Sequence, residues 1–198
     1  MKILKKIFLT AFLLLLVDQI IKIWIKTNMF LGQEFYITDW FIIHFTENNG
    51  MAFGMEFGGS TGKALLTIFR IIVVTLGIFY IKSIVTLSMP KGVLIALGLI
   101  IGGAIGNIID STFYGIIFND SYNSIASLFP DTGGYAPLLH GKVVDMLYFP
   151  LINSHFPNWL PFFGGEHFIF FRPVFNIADS GISIGIFMIL LFYRKYFN

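Results

Sequence analysis

Residues 92–113 read GVLIALGLIIGGAIGNIIDSTF, and this stretch decides the class of the protein. A helix needs about 20 mainly apolar residues to cross a bilayer, and these suffice. The one charge in it is Asp110. An aspartate at the centre of a spanning helix costs about 2.5–3.5 kcal/mol on an insertion scale. Working outward, three more stretches qualify as spans, about Ile3–Ile25, Gly62–Ile81 and Pro173–Tyr193, giving four in all. The first contains Asp18 and Lys22, the second Arg70, the last Asp179. A chain that accepts an intramembrane aspartate three times is expected to use the carboxylates.

Composition agrees with a membrane α-helical fold. The chain has 198 residues, 56% hydrophobic and 12% charged, with mean hydropathy +0.80. Soluble domains carry about 25% charged residues. The net charge of +2 is diffuse, which excludes a nucleic-acid partner as the expectation. With no cysteine, thiolate nucleophiles, disulfides and zinc–thiolate sites are excluded. Lys2, Lys5 and Lys6 before an apolar run imitate a secretory signal, but no small-residue cleavage site follows, so the segment reads as a retained span.

Lysines and arginines set the expected orientation. Lys2, Lys5, Lys6, Lys82, Lys91, Arg194 and Lys195 flank one set of span ends, which the positive-inside rule places in the cytoplasm. Both termini are then inside, and two regions, about 27–60 and 114–172, face outward from a single membrane domain. Asp110 lies about 27 Å along the third span at about 1.5 Å per residue, so all three aspartates fall toward the outer leaflet. Glu34–Thr38 and Trp40–Thr46 are rich in β-branched and aromatic residues, predicting a small extracytoplasmic β-rich platform. His155–Phe171 has the aromatic composition of an interfacial belt.

Helical spacing then groups polar residues. Gly103, Asn107 and Asp110 share one face of the third span, and Asn176, Asp179 and Ser183 share one face of the fourth. Gly98, Gly102 and Gly106, with Gly181 and Gly185, form small-residue seams that let helices approach closely. On spacing alone, Asp110 and Asp179 are the favoured carboxylate pair. Two close aspartates in a dry site share a proton: the ionised one deprotonates water, and the protonated one polarises an amide carbonyl. A proton- or ion-coupled small transporter remains an open alternative for intramembrane aspartates. Gly181-Ile-Ser183-Ile-Gly185 spells G-x-S-x-G, but lies in a helix rather than at a strand-to-helix elbow. There is no H-E-x-x-H metal motif, and His44 and Glu47 read as loop polar groups.

Five blocks occur in order: Asp18-Gln19-Ile20-Ile21-Lys22; Asn48-Asn49-Gly50-Met51-Ala52-Phe53; Gly102-Gly103-Ala104-Ile105-Gly106-Asn107-Ile108-Ile109-Asp110; Val143-Val144-Asp145; and Phe175-Asn176-Ile177-Ala178-Asp179. On these the chain resembles the bacterial lipoprotein signal peptidases (signal peptidase II), four-helix membrane aspartyl proteases. The resemblance implies a catalytic dyad of Asp145 and Asp179. Asp18, Lys22, Asn48, Gly50, Asn107, Asp110 and Asn176 become supporting or substrate-binding residues. It implies no metal and no cofactor, and a monomer in the bacterial cytoplasmic (inner) membrane with its active site toward the outer face. Its partners are membrane phospholipid and a diacylglyceryl-modified prolipoprotein, cleaved just before the lipidated cysteine. Ser111 stands where the family pattern has arginine, and Lys142 or Arg172 is expected to supply the missing cation. The stretches 114–142 and 150–172 exceed the family's usual connections, and read as a lid, a docking surface or plain surface loops.

Overall fold

A computed structural model describes residues 2–50, 58–86 and 88–197. Met51, Ala52 and Phe53 of the second motif block, and the acidic loop residue Glu56, lie outside the described residues. Four helices are long and apolar enough to cross a membrane. Helix α1 spans Lys2–Asn28, and α2 spans Gly59–Ile84. Helix α3 runs from Lys91 to Ile117 and α4 from Ile177 to Tyr196. Their exposed faces carry residues such as Phe8, Leu13, Phe69, Leu76, Phe187 and Leu191, as expected where lipid rather than water is the solvent.

Helix α3 is the axis of the bundle, packing most extensively against α1 and α4 and only lightly against α2. Small residues make this possible. A Cβ at Gly102 would lie 2.6 Å from the Ala11 carbonyl oxygen on α1, and one at Gly103 would collide with the Ala178 carbonyl oxygen on α4. Close backbone approach is how bundles pack where lipid removes the hydrophobic drive between helices.

Strands from both long connections build one antiparallel sheet at one end of the bundle. They are β1 (Glu34–Thr38), β2 (Phe41–Asn48), β3 (Val143–Tyr148) and β6 (Val174–Phe175), in the order β1-β2-β3-β6. Thr46 faces Asp145 across the β2–β3 ladder, and Leu147 faces Phe175 across β3–β6. Strands β4 (Ile152–His155) and β5 (His167–Phe170) form a separate two-stranded hairpin.

Two boundaries differ from the sequence expectation. The fourth helix begins at Ile177, not Pro173, because Val174 and Phe175 pair with β3 and Asn176 caps the helix. The third continues past Phe113 through a π turn at Asp110–Tyr114. That turn buries Asp110, Ser111, Thr112 and Tyr114, and such widened turns are frequent at functional sites.

Candidate active site

The sheet end of the bundle holds two carboxylate clusters, with Asp18, Asp110 and Asp145 buried and Asp179 half-buried. The first is ionic and joins α1 to α3. Lys22 Nζ lies 2.9 Å from Asp18 Oδ2 and 2.7 Å from Asp110 Oδ2, with all three side chains essentially out of contact with solvent. Lys22 also donates to Asn107 Oδ1 at 3.0 Å. Gln19 Nε2 donates to Asp110 Oδ1 at 2.9 Å, and the Tyr114 hydroxyl donates to Gln19 Oε1. Asp18 Oδ1 accepts the Ala178 N–H at 2.8 Å, which ties α1 to the first turn of α4. Free N–H groups at a helix start favour such an anion. Asp110 Oδ2 accepts the Val144 N–H at 3.3 Å, which fixes β3 beside the bundle.

The second cluster is framed by amides. Asn176 caps α4: its Oδ1 accepts the Asp179 N–H at 2.8 Å. Its Nδ2 donates to Asp145 Oδ1 at 2.7 Å and to Asn107 Oδ1 at 3.1 Å. Asn107 Nδ2 in turn donates to Asp179 Oδ1 at 2.7 Å. Asn48 Nδ2 reaches the other oxygen of Asp145 at 3.3 Å, while Asn48 Oδ1 accepts the Gly50 N–H at 2.7 Å. Among the described residues no lysine or arginine forms an ion pair with Asp145 or Asp179.

Asp145 is only 3% exposed. It sits on a strand bounded on both edges, with Val143, Val144 and Met146 buried around it. Burial raises its carboxyl to about 7, reinforced by the negative charge of Asp179. Hydrogen bonds from Asn48 and Asn176 and the charge of Lys22 act the other way. Asp145 and Asp179 therefore feel each other's charge across a frame of asparagines.

The structure places the sequence-predicted residues in distinct positions. The pairing of Asp110 with Asp179 expected from helical spacing gives way to another arrangement. Asp110 is neutralised by Lys22, and Asp145 takes the place beside Asp179. Asn48, Asn107 and Asn176 contact the two aspartates directly. Gly50 has φ 94°, and the Arg70 guanidinium donates to its carbonyl.

The cation that the structure brings to Ser111 is on α2. Lys63 Nζ donates to Ser111 Oγ at 3.2 Å and to the Asn49 carbonyl at 2.9 Å. Arg172 is exposed, and Lys142 Nζ pairs with Glu47 Oε2 at 3.2 Å. Glu47 is correspondingly no ordinary loop group. Its Oε1 lies 2.5 Å from the fully buried Lys26 Nζ, which also donates to Ser121 Oγ at 2.8 Å. The Lys26–Glu47–Lys142 bridge was not anticipated. Lys26, one turn beyond Lys22 on the same face of α1, was its only signal. Among the described residues, no group of three or more His, Asp or Glu side chains is arranged to hold a metal ion.

Comparison with known proteins settles the family. The sequence model described as Signal peptidase (SPase) II matches residues 10–195. The chain belongs to the signal peptidase II family. It is 55% identical over 184 residues to a lipoprotein signal peptidase of Porphyromonas gingivalis, covering 92% of this chain and 80% of that one. It is 39% identical over 191 residues to one from Amoebophilus asiaticus, covering 94% and 76%. Among solved structures, a chain described as a bacterial membrane enzyme superposes with TM-score 0.56 at 26% identity, covering 94% of this chain and 86% of that one. Membership makes this chain a peptidase, and its four apolar helices make it a multi-pass membrane protein.

Proposed function

We propose that this chain is an aspartyl endopeptidase of the bacterial inner membrane that cleaves the signal peptide from diacylglyceryl-modified prolipoproteins, with Asp145 and Asp179 as its dyad. The relatives are named as lipoprotein signal peptidases. One observation carries the residue assignment: a buried carboxyl held near pH 7 by burial and by a second aspartate, with only amides hydrogen-bonded to both.

The proposed reaction uses one ionised and one protonated carboxyl. Asp179 takes a proton from a water as its oxygen attacks the scissile carbonyl carbon. Asp145 delivers its proton to the carbonyl oxygen, giving a neutral gem-diol. Asp179 then gives its proton to the amide nitrogen while Asp145 takes one back from a gem-diol hydroxyl, so the C–N bond breaks and the lipidated cysteine's amine leaves. A dry site strengthens each electrostatic step. The asparagine frame holds both carboxyls in place with no lysine or arginine at ion-pair distance among the described residues.

The positive-inside pattern supports both termini in the cytoplasm, with the sheet and the dyad toward the outer face. Diacylglyceryl chains in the outer leaflet would hold the scissile bond at that depth. The transporter alternative gains nothing from the geometry, since Asp18 and Asp110 are locked in ion pairs with Lys22. The deciding experiment uses purified protein, a diacylglyceryl-modified precursor and a gel shift on cleavage. Asp145→Asn and Asp179→Asn should each remove cleavage while the protein stays folded in detergent. Cleavage at the parent rate by either variant refutes the dyad.

A further inference from the structure

The β4–β5 hairpin lies outside the site and has no role in the chemistry above, yet it presents large apolar rings. Its tip, residues 156–166, is an ordered turn, with Phe156 N–H donating to the Glu166 carbonyl and Gly164 N–H to the Leu160 carbonyl. Phe156 stacks on Phe168 with ring centroids 4.5 Å apart. Phe163 packs at a tilt against Phe156 with centroids 6.0 Å apart yet stays exposed, while Trp159 is 78% exposed and Phe162 96%. Phe162 adopts φ 69°, rare for a bulky side chain. Between Phe149 and Phe171 the only charged residue besides histidines is Glu166. An exposed patch of this kind marks a contact surface.

The base of the hairpin is continuous with the membrane-facing bundle. Phe171 packs edge-on against Phe175, the residue before the cap of α4, with centroids 6.0 Å apart. Phe149 packs against both Phe175 and Phe41 at 5.7 and 4.8 Å, and Trp40 stacks on Phe149 at 6.2 Å. This aromatic ladder joins the hairpin to the β1–β2 turn, where Tyr36, Ile37 and Trp40 are also exposed. Aromatic side chains of this kind partition to the bilayer–water interface. A charge-poor, ring-rich surface joined through the sheet to the start of a spanning helix matches the interfacial zone of a bilayer.

We infer that the β4–β5 hairpin is an interfacial anchor: its tip, Trp159, Phe162 and Phe163, dips into the lipid leaflet beside the start of α4. Because β3 leads directly into the hairpin and β6 leads out of it, the anchor fixes the height of β3 above the bilayer. The insertion is independent of the catalytic assignment; its consequence for Asp145 rests on the proposed dyad.

The chain has no cysteine, so Phe162→Cys gives a single labelling site in the full-length protein. An environment-sensitive NBD label there, in phosphatidylglycerol–phosphatidylethanolamine vesicles, should show blue-shifted emission, quenching by lipids with shallow doxyl groups, and protection from aqueous iodide. Water-like emission with full iodide access, or protection only after another protein is added, overturns the anchor. A second variant, Trp159→Ser with Phe162→Ser and Phe163→Ser, should raise KM for a lipid-modified precursor several-fold in vesicles and leave cleavage in detergent micelles unchanged. Equal KM values in vesicles overturn the inference even if the triple variant folds normally. Failure of cleavage in the unsubstituted protein would instead count against the proposed function, which the label does not read.

Discussion

Two pairs of aspartates gather at the same end of this bundle, three of the four buried and Asp179 half-buried, and the protein treats the pairs in opposite ways. Asp18 and Asp110 share one lysine, Lys22, at ion-pair distance. Asp145 and Asp179 are held by Asn48, Asn107 and Asn176 and by no cation among the described residues. A buried charge with a partner is a fastener: it ties α1 to α3, to the start of α4 and to β3. A buried carboxyl framed by amides keeps its proton equilibrium near neutral pH. The cost of burying an aspartate is the same physics in both; the partner decides whether it yields structure or reactivity.

That contrast is broken most directly at the proposed dyad. Asp145→Asn or Asp179→Asn should lower kcat/KM by on the order of 10²–10⁴-fold, the usual contribution of a general acid or base, with an unchanged melting curve in detergent. The reverse pattern is expected at the fastener. Lys22→Met strands two carboxylates without their cation, and breaking a buried ion pair typically costs about 3–5 kcal/mol. Thermal denaturation in detergent should show it as a large fall in Tm. A Lys22→Met protein as stable as the parent would erase the distinction between the clusters.

A smaller effect is expected from packing. Gly103→Ala sets a methyl group against the Ala178 carbonyl and 2.8 Å from Ile182 Cγ1. Overpacking of this kind costs about 1–3 kcal/mol. It should also displace the first turn of α4, so kcat should fall along with Tm.

The finest test is pH. In the proposed mechanism cleavage uses the Asp145 proton, so kcat/KM should decline as pH rises through about 7. Asn48 donates to the carboxylate and so opposes the upward shift; Asn48→Ala should move that alkaline limb to higher pH. A limb that moves down, or stays fixed, contradicts the assignment. Stability carries the matching sign. The carboxyl rises from an ordinary 3.8 to about 7 on folding, so the folded chain binds a proton that the unfolded chain has released. Its contribution should fall as pH climbs between those values, and Asp145→Asn should flatten that slope.

Much of the fold was legible because membrane insertion depends on local composition. Residues 92–113 announce a spanning helix without any tertiary contact, and the glycines at 102 and 103 announce close packing. Strand Glu34–Thr38 was legible for the same local reason. The start of α4 was not, since Val174 and Phe175 are apolar enough to extend a helix and become a strand only because β3 offers them partners. The site divides likewise. Asp18, Asp110 and Asp179 stand out by the cost of their surroundings, whereas Asp145 looks like a solvated loop carboxylate until β2 and β6 enclose its strand. Family resemblance named it; spacing did not. Lys63 at Ser111 and the Lys26–Glu47–Lys142 bridge were missed because each joins residues far apart in the chain.

The sequence by itself determined that this chain lives in a membrane, with four spans and costly carboxylates near one end. Those properties depend on runs of neighbouring residues and on transfer free energies that each run carries alone. Only the tertiary structure decided which carboxylates meet a lysine and which meet asparagines. Charge compensation acts over a few ångströms between α1, α3, β3 and α4, and no local pattern records that distance.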